Sequence, residues 1–122
     1  MIAGEKLPAL ERAIRLVDMV AYAGATWDWH PLHYDGDWLR ARGLDRPVVD
    51  GQMLGALMAQ QIAAALGPRA FITELSFRLR AMVFAGDVVR IEGEVVEPGH
   101  IKQTVFADER IAAEGTAIVR VA

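Results

Sequence analysis

Residues 51–67 read GQMLGALMAQQIAAALG, and no charged side chain stands between Asp50 and Arg69. Alanine and glycine cover much of this segment, and an apolar stripe with a spacing of four residues runs along it, consisting of Leu54, Met58, Ile62 and Leu66. The segment predicts a helix that is apolar nearly all round, and such a helix must be enclosed on nearly all sides. The dipeptide Gly67-Pro68 is the signal that ends it.

The chain after Pro68 is typical of β-structure, because apolar and polar residues alternate through most of it. Turn-forming dipeptides divide it into four segments, residues 71–80, 88–97, 101–107 and 111–121. Four strands at hairpin spacing predict an antiparallel sheet. One uncharged helix followed by such a sheet predicts an α+β fold, in which the antiparallel β-sheet wraps around a central apolar α-helix. We expect this hotdog fold to form a single domain over residues 1–122.

The N-terminal part predicts shorter elements. An extended stretch is expected around Leu10–Leu16, and Asp18 is expected to cap a helix that follows it. This helix must fail by His30, because Pro31 pushes its preceding residue out of the helical region. A second short helix is predicted over residues 36–42, where a following glycine can end it.

Composition excludes several classes of function. Thirteen Lys and Arg stand against sixteen Asp and Glu, a formal net charge of −3 with no block of like charge, so nothing indicates binding to nucleic acid or to an anionic membrane. The lack of cysteine excludes disulfides, a thiolate nucleophile and Cys-based metal sites. The N-terminus has no apolar signal-peptide core, and no stretch has the length and apolar character of a bilayer span. We therefore expect a cytoplasmic protein.

Functional side chains are concentrated in residues 25–35, which read ATWDWHPLHYD. On a continuous helix, Asp28 and His33 would point about 140° apart, at roughly 100° per residue, but Pro31 prevents a continuous helix. A bend between them can aim both side chains into one pocket, where a carboxylate and an imidazole make an acid/base pair around a water. In the alternative interpretation, Asp28 ends a helix and His33 is a half-buried loop residue.

The segment Asp28-Trp29-His30-Pro31-Leu32-His33-Tyr34-Asp35 resembles the signature of the MaoC-like dehydratases, the family of (R)-specific enoyl-CoA hydratases. The family pattern runs Asp-x-Asn-Pro-Leu/Ile-His-x-Asp. Residues 48–54, VVDGQML, resemble the Val-His-Gly stretch that opens the family's central helix, and residues 77–87 resemble its strand-turn region. The similarity runs in order through nearly the whole chain, from Leu7 to about Val121.

This resemblance implies a hydratase/dehydratase that interconverts 2-enoyl and 3-hydroxyacyl thioesters of CoA or of a carrier protein. Asp28 and His33 would be the catalytic residues, holding the water and sharing two proton transfers. The backbone N–H of Gly51, at the positive end of the central helix, would bind the thioester oxygen; equally, Gly51 can be a tight-turn residue without a ligand contact. No metal and no redox cofactor is expected.

Two residues depart from the family pattern, since His30 replaces its Asn and Asp50 replaces the His before the helix glycine. Together with Gly51, both are assigned to the substrate-binding region. Asp50 is also a good N-cap for the helix, whereas its carboxylate would oppose negative charge on the thioester oxygen. His30 would be a pocket-wall or structural residue and not a third catalytic group.

Three alternatives to a metal-free hydratase fit the sequence less well. A non-catalytic hotdog subunit that binds acyl thioesters or supports a catalytic partner would have no need of both Asp28 and His33. A hotdog thioesterase would need a separate nucleophile or a glutamate on the central helix, which has neither. A zinc site could be built from Asp28, His30, His33 and Asp35, but we expect no stoichiometric metal.

The resemblance also implies a protein partner. Family members form dimers whose sheets join edge to edge, with sites near the interface, and an exposed edge strand finds a partner in this way. A single domain of this length has little material to cover a pantetheine arm. The partner would be an identical chain, giving a homodimer, or a different hotdog subunit, giving a heteromer.

Overall fold

The computed structural model describes residues 1–122 and contains five strands, three α-helices and one short 3₁₀ helix. The strands are β1 (Lys6–Ala13), β2 (Ala70–Leu79), β3 (Val88–Glu97), β4 (His100–Ala107) and β5 (Arg110–Val121). The α-helices are α1 (Leu16–Thr26), α2 (Gly36–Arg40) and α3 (Gly51–Leu66), and the 3₁₀ helix spans Pro31–His33. No helix combines the length and the apolar character that crossing a bilayer requires.

The five strands form one antiparallel sheet in the order β1-β3-β4-β5-β2. Strands β3, β4 and β5 follow one another as hairpins, whereas β2 pairs with β5 and lies at one edge of the sheet. Helix α3 contacts β1, β2, β3 and β4. The predicted α+β class, with an antiparallel sheet packed around a central apolar helix, is confirmed.

Strand β1 differs from the prediction. The extended stretch was expected at residues 10–16 and only four strands were counted, whereas β1 runs from Lys6 to Ala13 and pairs with β3 as a fifth strand. Its register shifts between Leu7 and Leu10, around Pro8, and Leu7 is its one buried residue. Because the bulge interrupts the alternation of apolar and polar residues, this strand carries no clear period of two.

Helix α1 begins at Leu16, so Asp18 lies inside its first turn and the prediction of Asp18 as the N-cap was wrong. Oδ2 of Asp18 accepts a hydrogen bond from the backbone N–H of Arg15, the N-cap residue, at 3.1 Å. This is one half of a capping box, since the arginine side chain has no acceptor for the other half. A carboxylate at the third helical position stabilises the same helix end as one at the cap itself. Helix α2 is also shorter than predicted and ends at Arg40.

Helix α3 begins and ends where the sequence predicts. Oδ1 of Asp50 accepts a hydrogen bond from the Gln52 N–H at 3.0 Å, and Gly67 follows the last turn with φ at 82°. The expectation that the helix is enclosed on nearly all sides was wrong for the chain alone, because a stripe of short or polar side chains stays exposed, namely Gln52, Ala56, Gln60, Ala63 and Ala64. Alanine exposes little apolar area, so this face carries only a small hydrophobic cost.

Two buried glutamines join α3 to the sheet. Nε2 of Gln61 donates to the carbonyl oxygens of Pro8 at 3.1 Å and Ile91 at 2.9 Å, which satisfies acceptors beside the bulge of β1. Nε2 of Gln103 donates to the Met58 carbonyl and to Oε1 of Gln61, both at 2.8 Å. Apolar side chains from α3 and from the inward face of the sheet surround these amides in two clusters.

The loop between α2 and α3 is fastened to the sheet by Asp87. Its carboxylate accepts hydrogen bonds from the Phe84 N–H at 2.9 Å, from Arg110 at 2.9 Å and from Arg46 at 3.2 Å. Val48, farther along the same loop, forms an isolated bridge with Phe84. These contacts fix the path of the backbone immediately before α3 and thereby position the start of that helix.

Candidate active site

The end of α1 directs Asp28 away from the helix. Trp27 adopts the left-handed conformation (φ 57°, ψ 35°), and the N–H groups of Trp27 and Asp28 both donate to the Ala23 carbonyl. This is a helix C-terminal turn in which the left-handed position is usually a glycine. The turn ends the helix before Pro31, which agrees with the predicted failure by His30, and it leaves the Asp28 side chain free to point along the next segment.

The Pro31–His33 turn then brings the chain back toward Asp28. Nδ1 of His30 accepts a hydrogen bond from the Leu32 N–H at 3.0 Å and caps this turn. Oδ1 of Asp28 accepts a longer hydrogen bond, 3.4 Å, from the His30 N–H. His30 thus holds the bend that separates Asp28 from His33, and its ring lies edge-on to Trp38. This position fits the structural role, while its assignment to substrate binding stays a prediction.

His33 lies between two carboxylates. Its Nε2 atom is 4.0 Å from Oδ2 of Asp28 and 3.9 Å from Oδ2 of Asp50. Its Nδ1 atom is 2.7 Å from the carbonyl oxygen of Val48. A carbonyl can only accept, so Nδ1 carries a hydrogen and Nε2 is the atom that faces the carboxylates. The structure therefore brings the predicted pair together, with Asp50 as a third member.

The three groups differ in their contact with solvent. The side chains of His33 and Asp50 are 13% and 15% exposed, whereas that of Asp28 is 47% exposed.

The pKa of Asp28 lies below its ordinary value, chiefly because the Asp50 carboxyl can share a proton with it. Desolvation raises this pKa, and the hydrogen bond from the His30 N–H lowers it further. Asp28 is therefore ionised at neutral pH and available as a proton acceptor.

A narrow cleft next to these groups runs between α1 and the start of α3, lined by Met19, Tyr22, Ala23, His33, Asp50 and Met53. Burial raises the pKa of Tyr22, and the charges of Asp50 and Asp28 raise it further. The Tyr22 hydroxyl consequently keeps its proton. Sequence reasoning missed Tyr22, because a tyrosine on an apolar helix face carries no signal that separates a cleft from a core.

Gly51 is the first residue of α3, where the backbone N–H has no acceptor within the helix. A Cβ atom at this position would clash with Cδ1 of Leu79, so glycine lets β2 approach the start of the helix. A mostly apolar groove borders Gly51 and is lined by Val48, Val49, Leu54, Leu79, Arg80, Ala81, Met82 and Val83. The contact of Gly51 with a thioester oxygen stays a prediction.

The side-chain atoms that could share a metal ion belong to Asp28, His33 and Asp50, which lie within 4.8 Å of one another. The ligand set weighed from the sequence is not assembled as such. Nδ1 of His30 is occupied by the Leu32 N–H, and Oδ1 of Asp35 caps α2 by accepting from Asp37 and Trp38. Asp50, and not His30 or Asp35, lies beside Asp28 and His33. The sequence did not predict that Asp50 faces His33.

The family model described as the MaoC like domain matches residues 2–116. The chain belongs to the MaoC-like family. It is 30% identical over 112 residues to an (R)-specific enoyl-CoA hydratase of Aeromonas caviae, which covers 89% of this chain and 82% of that protein. This family assignment confirms the resemblance drawn from residues 28–35.

The chain is also similar to a plant dehydratase and to two solved structures. A mitochondrial 3-hydroxyacyl-[acyl-carrier-protein] dehydratase of Arabidopsis thaliana is 32% identical over 72 residues, which span 59% of this chain and 43% of that protein. The solved (R)-hydratase of A. caviae, described as involved in PHA biosynthesis, superposes with a TM-score of 0.92 at 25% identity, over 100% of this chain and 98% of the other. A chain of the ChsH1–ChsH2 complex of Mycobacterium tuberculosis superposes with a TM-score of 0.88 at 25% identity, over 100% and 99% of the two chains.

Proposed function

We propose that this MaoC-like protein hydrates 2-enoyl thioesters to 3-hydroxyacyl thioesters and catalyses the reverse dehydration. The observation that carries the proposal is the convergence of Asp28 and His33, whose facing atoms are 4.0 Å apart at the start of α3. Curated relatives of the chain are an enoyl-CoA hydratase and a hydroxyacyl carrier-protein dehydratase, so both directions of this chemistry are represented among them.

The proposed reaction needs two proton transfers. The water oxygen forms a bond to C3 of the substrate while an O–H bond of the water breaks, and the C2–C3 π electrons move toward the thioester oxygen. The Asp28/His33 pair accepts the proton of that water and returns a proton to C2, so no atom is gained or lost beyond the water itself. Carboxylates and imidazoles positioned in this way supply about 10²- to 10⁴-fold in rate.

Negative charge develops on the thioester oxygen between these two transfers. In our proposal the N–H of Gly51 binds this oxygen, because it is unpaired within α3 and lies at the positive end of the helix. The apolar groove beside Gly51 and Leu79 would hold the substrate next to that amide. The chemistry needs no redox cofactor and no metal.

We also propose that the chain works with a second hotdog subunit. The solved structures similar to this chain include the ChsH1–ChsH2 complex, which is heteromeric by its name. Strand β1 contains Pro8 and a register shift, and both features make an edge strand less able to pair with another chain. Strand β2 is ten residues long, contains no proline and exposes Phe71 and Leu79. It is therefore the edge we assign to the partner, and light scattering of the purified chain should give a dimer mass.

A second candidate is a non-catalytic hotdog subunit that binds an acyl thioester beside an active partner. The observation that favours it is Asp50, a carboxylate within one residue of the Gly51 amide, where negative charge must be stabilised. The two candidates differ in one measurable respect. The enzyme turns over enoyl thioester by itself, whereas the supporting subunit binds without turnover until its partner is added.

The deciding experiment follows the loss of the conjugated enoyl absorbance over a panel of enoyl-CoA and enoyl carrier-protein substrates. We expect turnover by the wild type, and a loss of about 10²-fold or more in both Asp28→Asn and His33→Ala with the fold retained. Matched controls are Asp108→Asn, in the turn between β4 and β5, and His100→Ala, at the start of β4, since both side chains are exposed. An unchanged rate in Asp28→Asn or His33→Ala would remove that residue from the mechanism.

A further inference from the structure

We propose that Asp50 is a third catalytic residue of this site, the acceptor that holds the second hydrogen of the reacting water. The inference rests on the proposed hydratase function and concerns a carboxylate that replaces the usual family histidine. Its two oxygens have separate tasks. Oδ1 caps α3 through the Gln52 N–H at 3.0 Å, and Oδ2 faces Nε2 of His33 at 3.9 Å.

The spacing of the three groups fits one shared water. Atoms that each lie about 2.8 Å from one water oxygen at tetrahedral angles are about 4.6 Å from one another. In the structure the facing atoms of Asp28, His33 and Asp50 all lie within 4.8 Å of one another, with Nε2 of His33 at 4.0 Å and 3.9 Å from the two carboxylates. The two distances from Nε2 of His33 are too long for direct hydrogen bonds. They are shorter than the tetrahedral spacing and correspond to angles of about 90° at a water oxygen about 2.8 Å from each atom, so in our proposal a single water contacts all three groups.

The hydrogen-bonding capacity of that water then accounts for its orientation. Nδ1 of His33 is committed to the Val48 carbonyl, so only Nε2 can act on the water. In its imidazolium form, with hydrogens on both ring nitrogens, His33 donates from Nε2 to one lone pair of the water, and the water donates its two hydrogens to Asp28 and Asp50. The remaining lone pair points out of the site toward C3 of the substrate.

Proton movements follow from this arrangement. As the water oxygen bonds to C3, Asp28 takes one hydrogen, Asp50 keeps its hydrogen bond to the other, and the Nε2 proton of His33 moves to C2. The product hydroxyl retains the hydrogen that faces Asp50. The proton on Asp28 returns to His33 before the next turnover, so the cycle adds one water and leaves the protein unchanged.

Variants of Asp50 separate the water contact from the helix cap. In Asp50→Asn the side-chain oxygen still caps Gln52, but the other group is an NH₂ donor and cannot accept the water hydrogen. Asp50→Ser also preserves a good cap and carries no second acceptor. We expect both variants to lose kcat by about 10²-fold, with KM within twofold of wild type, because the lost contact orients the water and not the thioester.

Asp18→Asn is the matched control, since Asp18 is another carboxylate at a helix start and lies on α1 opposite Arg15. It should leave kcat unchanged. Wild-type kcat in Asp50→Asn and Asp50→Ser, combined with an inactive Asp28→Asn, would overturn the inference and leave the proposed function standing. Lack of turnover by the wild type over the whole panel would instead contradict the proposed function.

A second measurement does not depend on turnover. A high-resolution crystal structure of the unliganded protein should show one water within about 3.2 Å of the facing atoms of Asp28, Asp50 and His33. In Asp50→Ser that water should be displaced or weakly occupied. A water that contacts only Asp28 and His33, or no water at all between the three groups, would overturn the role of Asp50 whatever the substrate is.

Discussion

The Nδ1 atom of His33 lies 2.7 Å from the carbonyl oxygen of Val48, and this contact decides which imidazole nitrogen faces the candidate active site. Val48 is held in turn by its N–H bond to the Leu32 carbonyl at 2.9 Å and by its bridge to Phe84. Two segments that are separated in sequence are thus tied together at the imidazole of His33. The order of the loop before α3 therefore controls the orientation of His33.

This relationship predicts the tautomer of His33. When the imidazole is neutral, its hydrogen should be on Nδ1 and its lone pair on Nε2, because the Val48 carbonyl can only accept. Nitrogen-15 NMR of the three histidines distinguishes the two tautomers by the chemical shifts of the ring nitrogens. The His33→Ala spectrum assigns the signal, and exposed His100 provides an internal comparison. A neutral His33 with its hydrogen on Nε2 would contradict the arrangement.

The same three groups give a prediction about metal. Ligands around one zinc ion, at about 2.0–2.2 Å, are about 3.3 Å apart in tetrahedral geometry, whereas Nε2 of His33 is 4.0 Å and 3.9 Å from the carboxylates of Asp28 and Asp50. The three groups are therefore farther apart than the ligands of a tetrahedral zinc ion. We expect purified protein to contain substoichiometric metal by elemental analysis, and treatment with a chelator to leave turnover unchanged. Loss of turnover with EDTA, restored by added zinc, would refute this prediction.

Much of the fold could be predicted because its signals are local. Helix α3 has no charge between Asp50 and Arg69, and β3 alternates buried and exposed positions through most of its length. Strand β1 could not be predicted with correct bounds, since a bulge at Pro8 breaks its period and its pairing with β3 is fixed by tertiary contacts.

Only the part of the candidate site that is encoded locally could be predicted from the sequence. Asp28 and His33 lie five residues apart, and a proline between them is a visible cause of a bend. Asp50 lies far along the chain from both, and only its role as an N-cap is encoded locally. The approach of its second oxygen to His33 depends on how the loop before α3 is fastened to the sheet, which no local pattern reports.

Adjacent glutamines on α3 offer a matched test of the buried amide network. Gln61→Ala should lower the free energy of unfolding by about 2–3 kcal/mol, because it removes the amide donor to the Pro8 and Ile91 carbonyls and one of the two acceptors of Nε2 of Gln103. Gln60 is exposed, so Gln60→Ala should change stability by less than about 0.5 kcal/mol. Urea denaturation measures both, and equal effects of the two substitutions would show that the network contributes nothing.

Asp87 should make a pH-dependent contribution to stability. It is 7% exposed, and although burial raises its pKa, the Phe84 N–H and the Arg46 and Arg110 guanidinium groups lower it by more. Because the folded-state pKa lies below the unfolded-state value, the contribution is fully present above the unfolded pKa, about 3.9, and is lost as the pH falls through the folded-state pKa.

Asp87→Asn removes the charge and keeps the shape. At pH 7 it should cost about 2 kcal/mol, less than a fully buried ion pair, because both arginine side chains are half-exposed and screened by solvent. The difference from wild type should shrink as the pH is lowered below 4, where the wild-type carboxylate begins to take up its proton. Asp108→Asn removes an exposed carboxylate that also contacts Arg110 and should have little effect at any pH. Denaturation curves at pH 7, 5 and 3 provide the comparison. If the stability difference between Asp87→Asn and wild type is independent of pH, the ion pairs of Asp87 with Arg46 and Arg110 do not contribute to stability.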